Sequence, residues 1–366
     1  MSSLADLARV FLRLGVTGFG GPAAHIAMMR EEFVGRRGDF DDNDFASMIG
    51  AVNLVPGPNS TELAMHIGQR RAGGKGLAIA GVAFIVPAVL LVGALSWLYE
   101  MHGTNPAVVD VRWGVLPVIV AIVAHATWAL GTSTLRSGVP FVVAAIATVS
   151  LLLGINELLV LIAGGALSTA TAWKPRGAQF SAWLTMVAVV ADASLHRVFF
   201  VFLEIGAVLY GSGYVLVAFL EGRIVDHLGW LTTQQVLDAV AIGQITPGPV
   251  FSTATFIGWQ VAGVWGATAA TVGIFAPSFL FVAFLGRIID WLRRHPSGAR
   301  FLDGVTAASL GLMAGALVRL AGAAFVDLVT GVIGLVSVVL LVTKRASTTA
   351  LVTAGVALGA LRLVTS

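Results

Sequence analysis

The sequence predicts an all-α polytopic membrane protein built from two inverted-topology repeats, with about ten transmembrane helices and two re-entrant Pro-Gly-Pro hairpins. Three observations lead to this class. The chain is overwhelmingly apolar, one Pro-Gly-Pro motif occurs twice at equivalent positions, and equivalent loops of the two halves carry opposite charge bias. Transporters combine these features, because an inverted duplication holds a substrate between two related halves.

Composition sets the environment of the chain. Of its 366 residues, 57% are hydrophobic and 11% are charged, and the mean hydropathy is +0.91. About a quarter of an ordinary soluble domain is charged. Because so little charge cannot cover a soluble surface, a lipid bilayer is the expected partner. The 43 glycines agree with this, since small residues let membrane helices approach closely.

Scarce residue types exclude whole classes of function. The chain has no cysteine, which excludes disulfides, thiolate chemistry and iron–sulfur clusters. Its net charge is only +3 and it has no long basic run, so nucleic acid is not an expected partner. Arg9 and Arg13 interrupt the first apolar stretch, and no cleavage site follows. We therefore expect direct multi-pass insertion into a plasma membrane, such as the bacterial inner membrane.

The duplication extends well beyond the two Pro-Gly-Pro motifs. Asn53 to Pro58 recurs as Gln244 to Pro249, about 190 residues later. Flanking residues keep nearly the same spacing: Phe11, Gly15, Gly20, Gly68, Gly76, Pro87 and Gly114 recur as Phe202, Gly206, Gly211, Gly258, Gly266, Pro277 and Gly304. The predicted domains are a first membrane repeat at 1–176, a connecting segment at 177–197 and a second, inverted membrane repeat at 198–366.

Candidate spans are the apolar segments of about 20 residues, the length that crosses a bilayer as a helix. They are 4–29, 77–98, 113–130, 138–154, 156–172, 198–219, 266–286, 301–321, 323–342 and 348–364. Segment 180–191 is short and could be a span, an interfacial helix or a linker. The segments beside each Pro-Gly-Pro motif are too short to cross: 44–55 with 59–70, and 233–246 with 250–261. Each pair is expected to form two half-helices that fold back with the prolines at the tip.

Basic residues orient the repeats, because loops rich in lysine and arginine stay inside. The loop at 70–76 carries three basic residues, whereas its counterpart at 260–266 carries none. The next loop, 99–112, carries one, whereas 287–300 carries four. Upside-down insertion of the second half places every strongly basic loop inside. In this scheme the N-terminus lies outside.

Each Pro-Gly-Pro motif breaks a helix within apolar sequence, because proline lacks an N–H and clashes with the preceding turn. The half-helix that follows points its free amides and positive dipole end at the break, which suits an anion. Kinks that only let helices pack are the alternative. The substrate-binding residues predicted here are Asn53, Pro56, Gly57, Pro58, Asn59, Ser60 and Thr61, and in the second half Gln244, Thr246, Pro247, Gly248, Pro249, Ser252 and Thr253.

A second kind of break interrupts the first helix of each half. Gly18, Phe19, Gly20, Gly21 and Pro22 are consecutive in the first half, and Tyr210-Gly211-Ser212-Gly213 is the related stretch in the second. Glycine permits close backbone approach, so helix packing is one interpretation. Glycine together with proline inside a span favours the other, an unwound substrate-binding site. These breaks could place four half-helix ends near the midplane of the membrane.

Ionisable residues in membrane segments are costly and usually functional. Arg13, which aligns with Glu204, offers an oxyanion a planar fork of donors. A structural ion pair of Arg13 with Glu204 or Glu62 is the alternative. Glu62 and His66 share one helix face, and burial would favour the protonated form of Glu62. Glu62, His66, His25 and Glu204 are therefore candidate residues for ion coupling, although His25 also fits a packing role.

Other patterns argue against metals, nucleotides and enzymatic chemistry. The aspartates at 39, 41, 42 and 44 lack the glycine and the distal glutamate of an EF-hand, so they indicate a solvated loop. The glycines at 73–76 do not make a phosphate loop, and Glu62-x-x-x-His66 lacks the histidine pair of a zinc helix. No cofactor or metal is expected. An intramembrane enzyme is only a remote alternative.

At these residues the sequence resembles the chromate ion transporter (CHR) family in its long, two-domain form. The resemblance rests on Phe11-x-Arg13-Leu14-Gly15-x-x-Gly18-Phe19-Gly20-Gly21-Pro22, on His25-Ile26-Ala27-Met28-Met29, and on the Pro-Gly-Pro motifs with Gly243-Gln244-x-Thr246. It implies halves of opposite orientation and export of chromate, which mimics sulfate in shape and charge. The chain departs from the family at Asn53, where glutamine is often found, and at Gly38-Asp39-Phe40, where tryptophan is common.

The predicted function is secondary active export of a divalent tetrahedral oxyanion that binds at the midplane between the repeats, with chromate as the substrate that the resemblance implies. Transport of sulfate or another oxyanion, in either direction or by exchange, is the alternative. The sequence has no nucleotide motif, so the energy comes from the membrane potential, a proton or a counter-anion. A homodimer is expected on general grounds only.

Overall fold

A computed structural model describes residues 4–102, 106–135, 138–170, 194–210 and 215–365, and these residues form helices and turns without a strand. The helices are α1 (Leu4–Thr17), α2 (Gly21–Arg30), α3 (Asp42–Val52), α4 (Asn59–His102), α5 (Pro106–Thr134), α6 (Gly138–Leu152), α7 (Glu157–Ala170), α8 (Leu195–Val208), α9 (Leu216–Phe219), α10 (Thr233–Ile245), α11 (Thr253–Ala283), α12 (Leu285–Arg294), α13 (Pro296–Ala324), α14 (Leu328–Val342) and α15 (Thr348–Thr365). Two π-helical segments, Glu31–Arg36 and Leu220–His227, extend α2 and α9. The all-α prediction is confirmed for these ranges.

The described residues do not include every predicted element. Outside them lie most of the connecting segment, with 180–191, and the break residues Gly211, Ser212 and Gly213.

Several helices fit a membrane environment. Four are long and apolar enough to cross a bilayer: Asn59–His102, Asp110–Thr132, Val250–Ala283 and Ser297–Ala324. Four shorter apolar helices accompany them: Gly138–Leu152, Glu157–Ala170, Leu328–Val342 and Thr348–Leu363. Large apolar side chains such as Leu90, Trp128 and Leu335 point outward and are mostly exposed, as expected for a lipid-facing surface. A multi-pass membrane protein accounts for this surface.

The first candidate span is not one helix. The predicted break is present, because Gly20 adopts a left-handed φ of 101° between α1 and α2. Beyond the break the chain folds back antiparallel to α1, so that Asp6 pairs with Arg37 at 2.6 Å and Arg13 pairs with Glu32 at 2.5 Å. The prediction of a crossing helix here is wrong. A helix as short as α1 reaches only about 21 Å, and the glycines let the chain return.

The Pro-Gly-Pro motifs interrupt helices as predicted. α3 ends before the first motif and α4 begins directly after it, and α10 and α11 repeat this arrangement with one intervening 3₁₀ turn. The helices before the two motifs have equivalent N-caps. The Asp41 side chain accepts the N–H of Asp44, and the Thr232 side chain accepts the N–H of Gln235. These caps satisfy amides that have no partner within the helix.

α4 and α11 each fold into a helical hairpin. The backbone leaves helical geometry at Gly73 and at Gly263, both with a φ of 60°. Beside the first bend, an added Cβ on Gly68 would overlap the backbone of Gly76. Gly258 and the glycine eight positions after it repeat this contact at the second bend. A half-helix therefore follows each Pro-Gly-Pro motif and packs closely against a longer helix.

The two halves exchange their longest unbroken helices. α5 of the first half packs on α14 and α15 of the second, and α13 of the second half packs on α6 and α7 of the first. Glycines permit both crossings, since a Cβ on Gly114 would overlap Gly355 and one on Gly304 would overlap Gly164. These six helices form an exchanged bundle. α1 to α4 and α8 to α11 form a second group, in which α4 contacts α11.

Candidate functional site

The two Pro-Gly-Pro tips cross between the halves. The N–H of Gly57 donates to the carbonyl of Leu209, at the end of α8, over 2.8 Å. The N–H of Gly248 donates to the carbonyl of Gly18, at the end of α1, over the same distance. In each case a tip of one half satisfies a carbonyl that the broken helix of the other half leaves free. The predicted break residues are thus brought together at the centre of the second helix group.

Both tip glycines adopt backbone conformations with positive φ, which favour glycine. Gly57 has a φ of 135° and Gly248 a φ of 96°, which other residues rarely adopt. A Cβ on Gly57 would overlap the carboxylate of Glu62 and the hydroxyl of Ser278, which belong to different halves. A Cβ on Gly248 would lie 2.8 Å from the Cβ of Ala88. The tips are therefore packed tightly on both sides.

Buried polar side chains surround the starts of the two half-helices. Ser60, Thr61 and Glu62 in the first half, and Ser252 and Thr253 in the second, are 0–2% exposed. The hydroxyls of Thr61, Ser252 and Thr253 have no hydrogen-bond partner among the described residues. The same holds for Nε2 of Gln244, which is also buried. Since buried polar groups normally have partners, these donors suit a small polar ligand.

His25 ties the first break to the first half-helix. Its Nε2 donates to the Gly18 carbonyl at 2.8 Å, and its Nδ1 lies 3.2 Å from Oγ of Ser60. The ring also packs edge-on against Phe84. His66, in contrast, lies 3.4 Å from the side chain of Gln69. His25 is therefore hydrogen-bonded to both the break and the half-helix, whereas the His66 contact lies within its own helix.

Arg13 and Glu204 form equivalent ion pairs of opposite polarity. Arg13 contacts Glu32 at 2.5 Å, and its counterpart Glu204 accepts from Arg223 at 2.9 Å. Each pair joins the broken helix of one half to its own returning segment. The alternative of an ion pair between Arg13 and Glu204 or Glu62 is wrong, because the fold-back supplies a nearer partner in each half. Arg13 lines neither of the cavities described below.

One cavity reaches the first half-helix. This asparagine cavity, of about 460 Å³, is lined by Asn53, Asn59 and Tyr210 among others. The Asn59 amide donates to the Asn53 side chain at 2.6 Å, and the Tyr210 hydroxyl donates to the Asn53 carbonyl at 2.9 Å. Three predicted residues from both halves thus share one wall. Asp303 also lines this cavity, and the sequence offered no signal for it.

A larger cavity lies between α2 and the exchanged bundle. It has a volume of about 830 Å³ and is called the basic cavity here. Phe19, Gly20 and Pro22 form one wall, as predicted for the first break. The residues that line its other walls are Ala23, Ala24, Ile122, His125, Ala126, Ala129, Leu130, Leu341, Lys344, Arg345, Ala346, Ser347, Thr348 and Thr349. Lys344 and Arg345 are not among the site residues that the sequence predicted.

Within its described residues, the second half is closed against α5 and α13 by charged side chains. Asp238 of α10 accepts from Arg112 at 2.8 Å and from the Tyr99 hydroxyl at 2.6 Å. Arg319 of α13 pairs with Asp226, beyond α9. Sequence reasoning missed this closure, although arginines near the ends of apolar helices were a signal for it. We refer to these five residues as the closing cluster.

The remaining predicted residues lie at the tips without contacting a cavity. Thr246 bonds back to the carbonyl of Ile242 at 3.0 Å, so its hydroxyl finishes α10. The prolines at 56, 58, 247 and 249 shape the turns. No group of three or more metal-ligating side chains occurs within the part of the chain that the structure describes.

The sequence matches the profile of the chromate transporter family twice, over residues 5–169 and 196–360. A probable chromate transport protein of Synechococcus elongatus is 33% identical over 92% of this chain and 89% of its own length. The chromate transport protein of Cupriavidus metallidurans is 31% identical over 97% and 92%, and that of Pseudomonas aeruginosa is 30% identical over 85% and 79%. No solved structure matches the chain.

Proposed function

Because the chain belongs to the chromate transporter family, we propose that it exports chromate, or a related divalent oxyanion such as sulfate, across the bacterial inner membrane as a secondary active transporter. Family membership and relatives named as chromate transport proteins support the substrate class. The apolar helices and lipid-facing surface support the membrane location. Export by a protein of this kind makes the cell resistant to chromate.

We infer that the halves are inserted upside down relative to each other. Trp113, near the start of α5, donates to Asp327, just past the end of its counterpart α13, over 2.7 Å. Equivalent helices therefore run in opposite directions. The opposite face carries the basic segments, since Leu130 lines one cavity with Leu292 and the other with Lys344. By the positive-inside rule this face is cytoplasmic. We place the N-terminus there too, contrary to the outside position of the sequence scheme, because the chain folds back after the first break and Asp6 near its start pairs with the basic Arg37.

The observation that carries the proposal is the set of buried, unpartnered donors at the starts of two half-helices. Thr61 comes from one half, and Ser252 and Thr253 come from the other. The half-helix N-termini add amides and positive dipole ends, which hold an anion without a buried full charge. The asparagine cavity reaches Asn59, the first residue of one half-helix. The buried donors would hold the dianion, and the cavity reaches the start of the half-helix that carries one of them.

Glu62 makes anion binding depend on protonation in this mechanism. Its carboxyl is fully buried beside the first tip. An ionised carboxylate would repel a dianion in a low-dielectric site, so we propose that Glu62 is protonated whenever the anion is bound. His25 positions the half-helix that carries Glu62. His66 contacts Gln69 and Glu204 pairs with Arg223, so neither has a role in this scheme.

The membrane potential favours export. Moving one elementary charge is worth about 2.3 kcal/mol per 100 mV, so a dianion leaving a negative-inside cell gains roughly 4–5 kcal/mol. Inhibition of flux by collapse of the potential would support potential-driven export. Electroneutral flux that ignores both pH and potential would point to anion exchange instead.

The decisive experiment is chromate flux into inverted membrane vesicles under an imposed potential. We expect uptake that sulfate inhibits, and a loss of at least tenfold when Thr61→Val is combined with Thr253→Val, because each lost donor to a charged ligand is worth about 1.5–3 kcal/mol. Thr268→Val is the matched control, since this exposed hydroxyl bonds only within its own helix. Equal losses in the control and the double variant would refute the site. Absence of wild-type flux would refute the substrate.

A further inference from the structure

We propose that the basic cavity is a second oxyanion site, occupied from the cytoplasm before the anion reaches the half-helix tips. The proposal rests on the proposed function for the direction of movement, but not for the binding itself. The lining includes the basic residues Lys344 and Arg345 and the imidazole of His125, and it includes no carboxylate. Phe19 and Gly20 bound its inner wall, so the cavity ends at the break of the first helix.

The backbone of Lys344 is the first argument for function. Among the described residues it is the one non-glycine with positive φ, at 55°. It follows α14, where its N–H donates to the Leu341 carbonyl and the next N–H donates to the Leu340 carbonyl. This double hydrogen bond is the helix end that normally takes glycine at the left-handed position.

The first half shows what this position looks like without a basic cavity. Gly154 follows α6 with a φ of 75°, and the same two hydrogen bonds close that helix. Glycine therefore fits the motif in one half, whereas lysine occupies the disfavoured conformation in the other. A strained residue persists where the surroundings or function over-determine it. The lining of the basic cavity is the feature that distinguishes Lys344 from Gly154.

The residues after Lys344 also differ from their counterparts in the first half, and they too are basic or carry a hydroxyl. Arg345 corresponds to Ile155, and Ser347 corresponds to Glu157. The basic and hydroxyl-bearing version lines the cavity on the basic face, whereas the apolar and acidic version lies on the opposite face. The positive-inside rule explains a basic residue somewhere in this loop. It does not explain why one occupies the left-handed position when adjacent exposed positions are free of that strain.

The cavity suits a soluble tetrahedral oxyanion held loosely. Lysine presents a hydrated point charge on a flexible stem, and Ser347, Thr348 and Thr349 add hydroxyls at the start of α15. A lipid phosphate has the same chemistry and is the competing source. We favour the soluble anion because the cavity extends to the broken first helix and so connects the basic face with the tip region.

The test is anion binding to purified protein in nanodiscs of zwitterionic lipid, measured by calorimetry with sulfate and with chromate. Lys344→Gly and Lys344→Asn both suit left-handed backbone. We expect each to weaken anion binding about five- to tenfold, the range for one charged contact. Without anion, Lys344→Gly is expected to raise the midpoint of thermal unfolding by about 1–2 °C. In Lys344→Gly, anion binding should therefore fall while thermal stability rises. A residue with only a structural role would not give this combination.

Two controls complete the design. Gly154→Lys adds the same backbone strain outside the basic cavity, so it should lower the unfolding midpoint and leave anion affinity unchanged. Lys75→Gln removes an exposed charge from the same face but outside the lining, and it should leave affinity unchanged.

Unchanged affinity in both Lys344 variants would overturn the proposal, and so would an equal loss in Lys75→Gln. Displacement of sulfate by phosphatidylglycerol added to the nanodiscs would assign the cavity to lipid and also overturn it. Wild-type protein that binds sulfate through Lys344 but carries no flux would support this site while refuting the proposed transport. The two failures are therefore distinguishable.

Discussion

The two halves share a skeleton but differ in what their equivalent parts touch. Asn53 is exposed in a cavity, whereas its counterpart Gln244 is buried. Ala27 on α2 is exposed, whereas its counterpart Ala218 on α9 is 0% exposed. The closing cluster fastens the second half to the exchanged bundle, and two cavities separate the first half from it. Among the described residues, the first half is thus the more open and the second the more closed of two related units.

This difference suggests how transport works. If the halves are inverted, exchanging their arrangements closes the basic face and opens the opposite one. The structure then corresponds to a cytoplasm-facing state, and the other state needs no new fold. The two arrangements must differ by only a few kcal/mol for both to be populated.

The largest expected effect comes from changing the tip of the first Pro-Gly-Pro motif, where the two halves meet. Gly57→Ala should destabilise the protein by about 2–4 kcal/mol and abolish chromate flux, because left-handed strain adds to overlap with Glu62 and Ser278. Thermal unfolding and vesicle flux measure this. Gly38→Ala is the matched control, since Gly38 has a φ of 63° and open space around it. A similar loss in both variants would reduce the effect to backbone strain alone.

The second-largest expected effect comes from weakening the closing cluster, which holds the second half closed. Asp238→Asn removes the charge that holds Arg112 and Tyr99, and should favour opening of the closed face by about tenfold, since a broken, mostly buried ion pair costs at least 1.4 kcal/mol. The chain has no cysteine, so maleimide labelling of Ala218→Cys reports opening directly. Labelling of Ala23→Cys, in the basic cavity, should fall in parallel. If Ala218→Cys labels at the wild-type rate, the closing cluster does not hold the closed state.

A smaller effect concerns the charge-reversed pairs. Arg13→Gln should lower stability by about 1 kcal/mol and change flux less than threefold, because Arg13 is half exposed and Glu32 keeps its contact with Arg37. Glu204→Gln should behave alike in the second half. Loss of chromate flux in Arg13→Gln alone, at normal stability, would instead return Arg13 to the substrate-binding residues that the sequence predicted.

The smallest effect tests whether the two halves are equally capped. Asp41→Ala and Thr232→Ala each remove an N-cap and should cost about 1 kcal/mol. Thr232→Ala should cost slightly more, because it also breaks a reciprocal capping box. Thermal unfolding in detergent compares them. A much larger cost in one half would mean that the helix before its motif also carries tertiary strain.

The sequence predicted where helices break better than it predicted which side chains and helices contact each other. Proline and left-handed glycine act locally, so the Pro-Gly-Pro motifs and the break at Gly20 could be read directly from the chain. The partner of Arg13 could not, because it depends on the return of the chain after that break. The exchange of α5 and α13 was also hidden, since helices that are apolar on all sides do not indicate which neighbour they face.

The basic cavity could have been predicted from the sequence, but it was not. Aligning the two halves places Lys344 on Gly154, and a lysine in place of a cap glycine is a signal for function. The closing cluster was harder to find, since its charged residues come from separate helices and none follows a motif.

The exchanged helices also bear on how the protein is made. Neither half contains the surfaces that cover its own longest unbroken helix, because α5 is covered by α14 and α15, which are synthesised long after it. A nascent chain must therefore hold α5 among lipids or a membrane chaperone until those two helices have been made. A half produced alone would have to find a second copy, and two such copies could intertwine as a pair in the manner of this single chain.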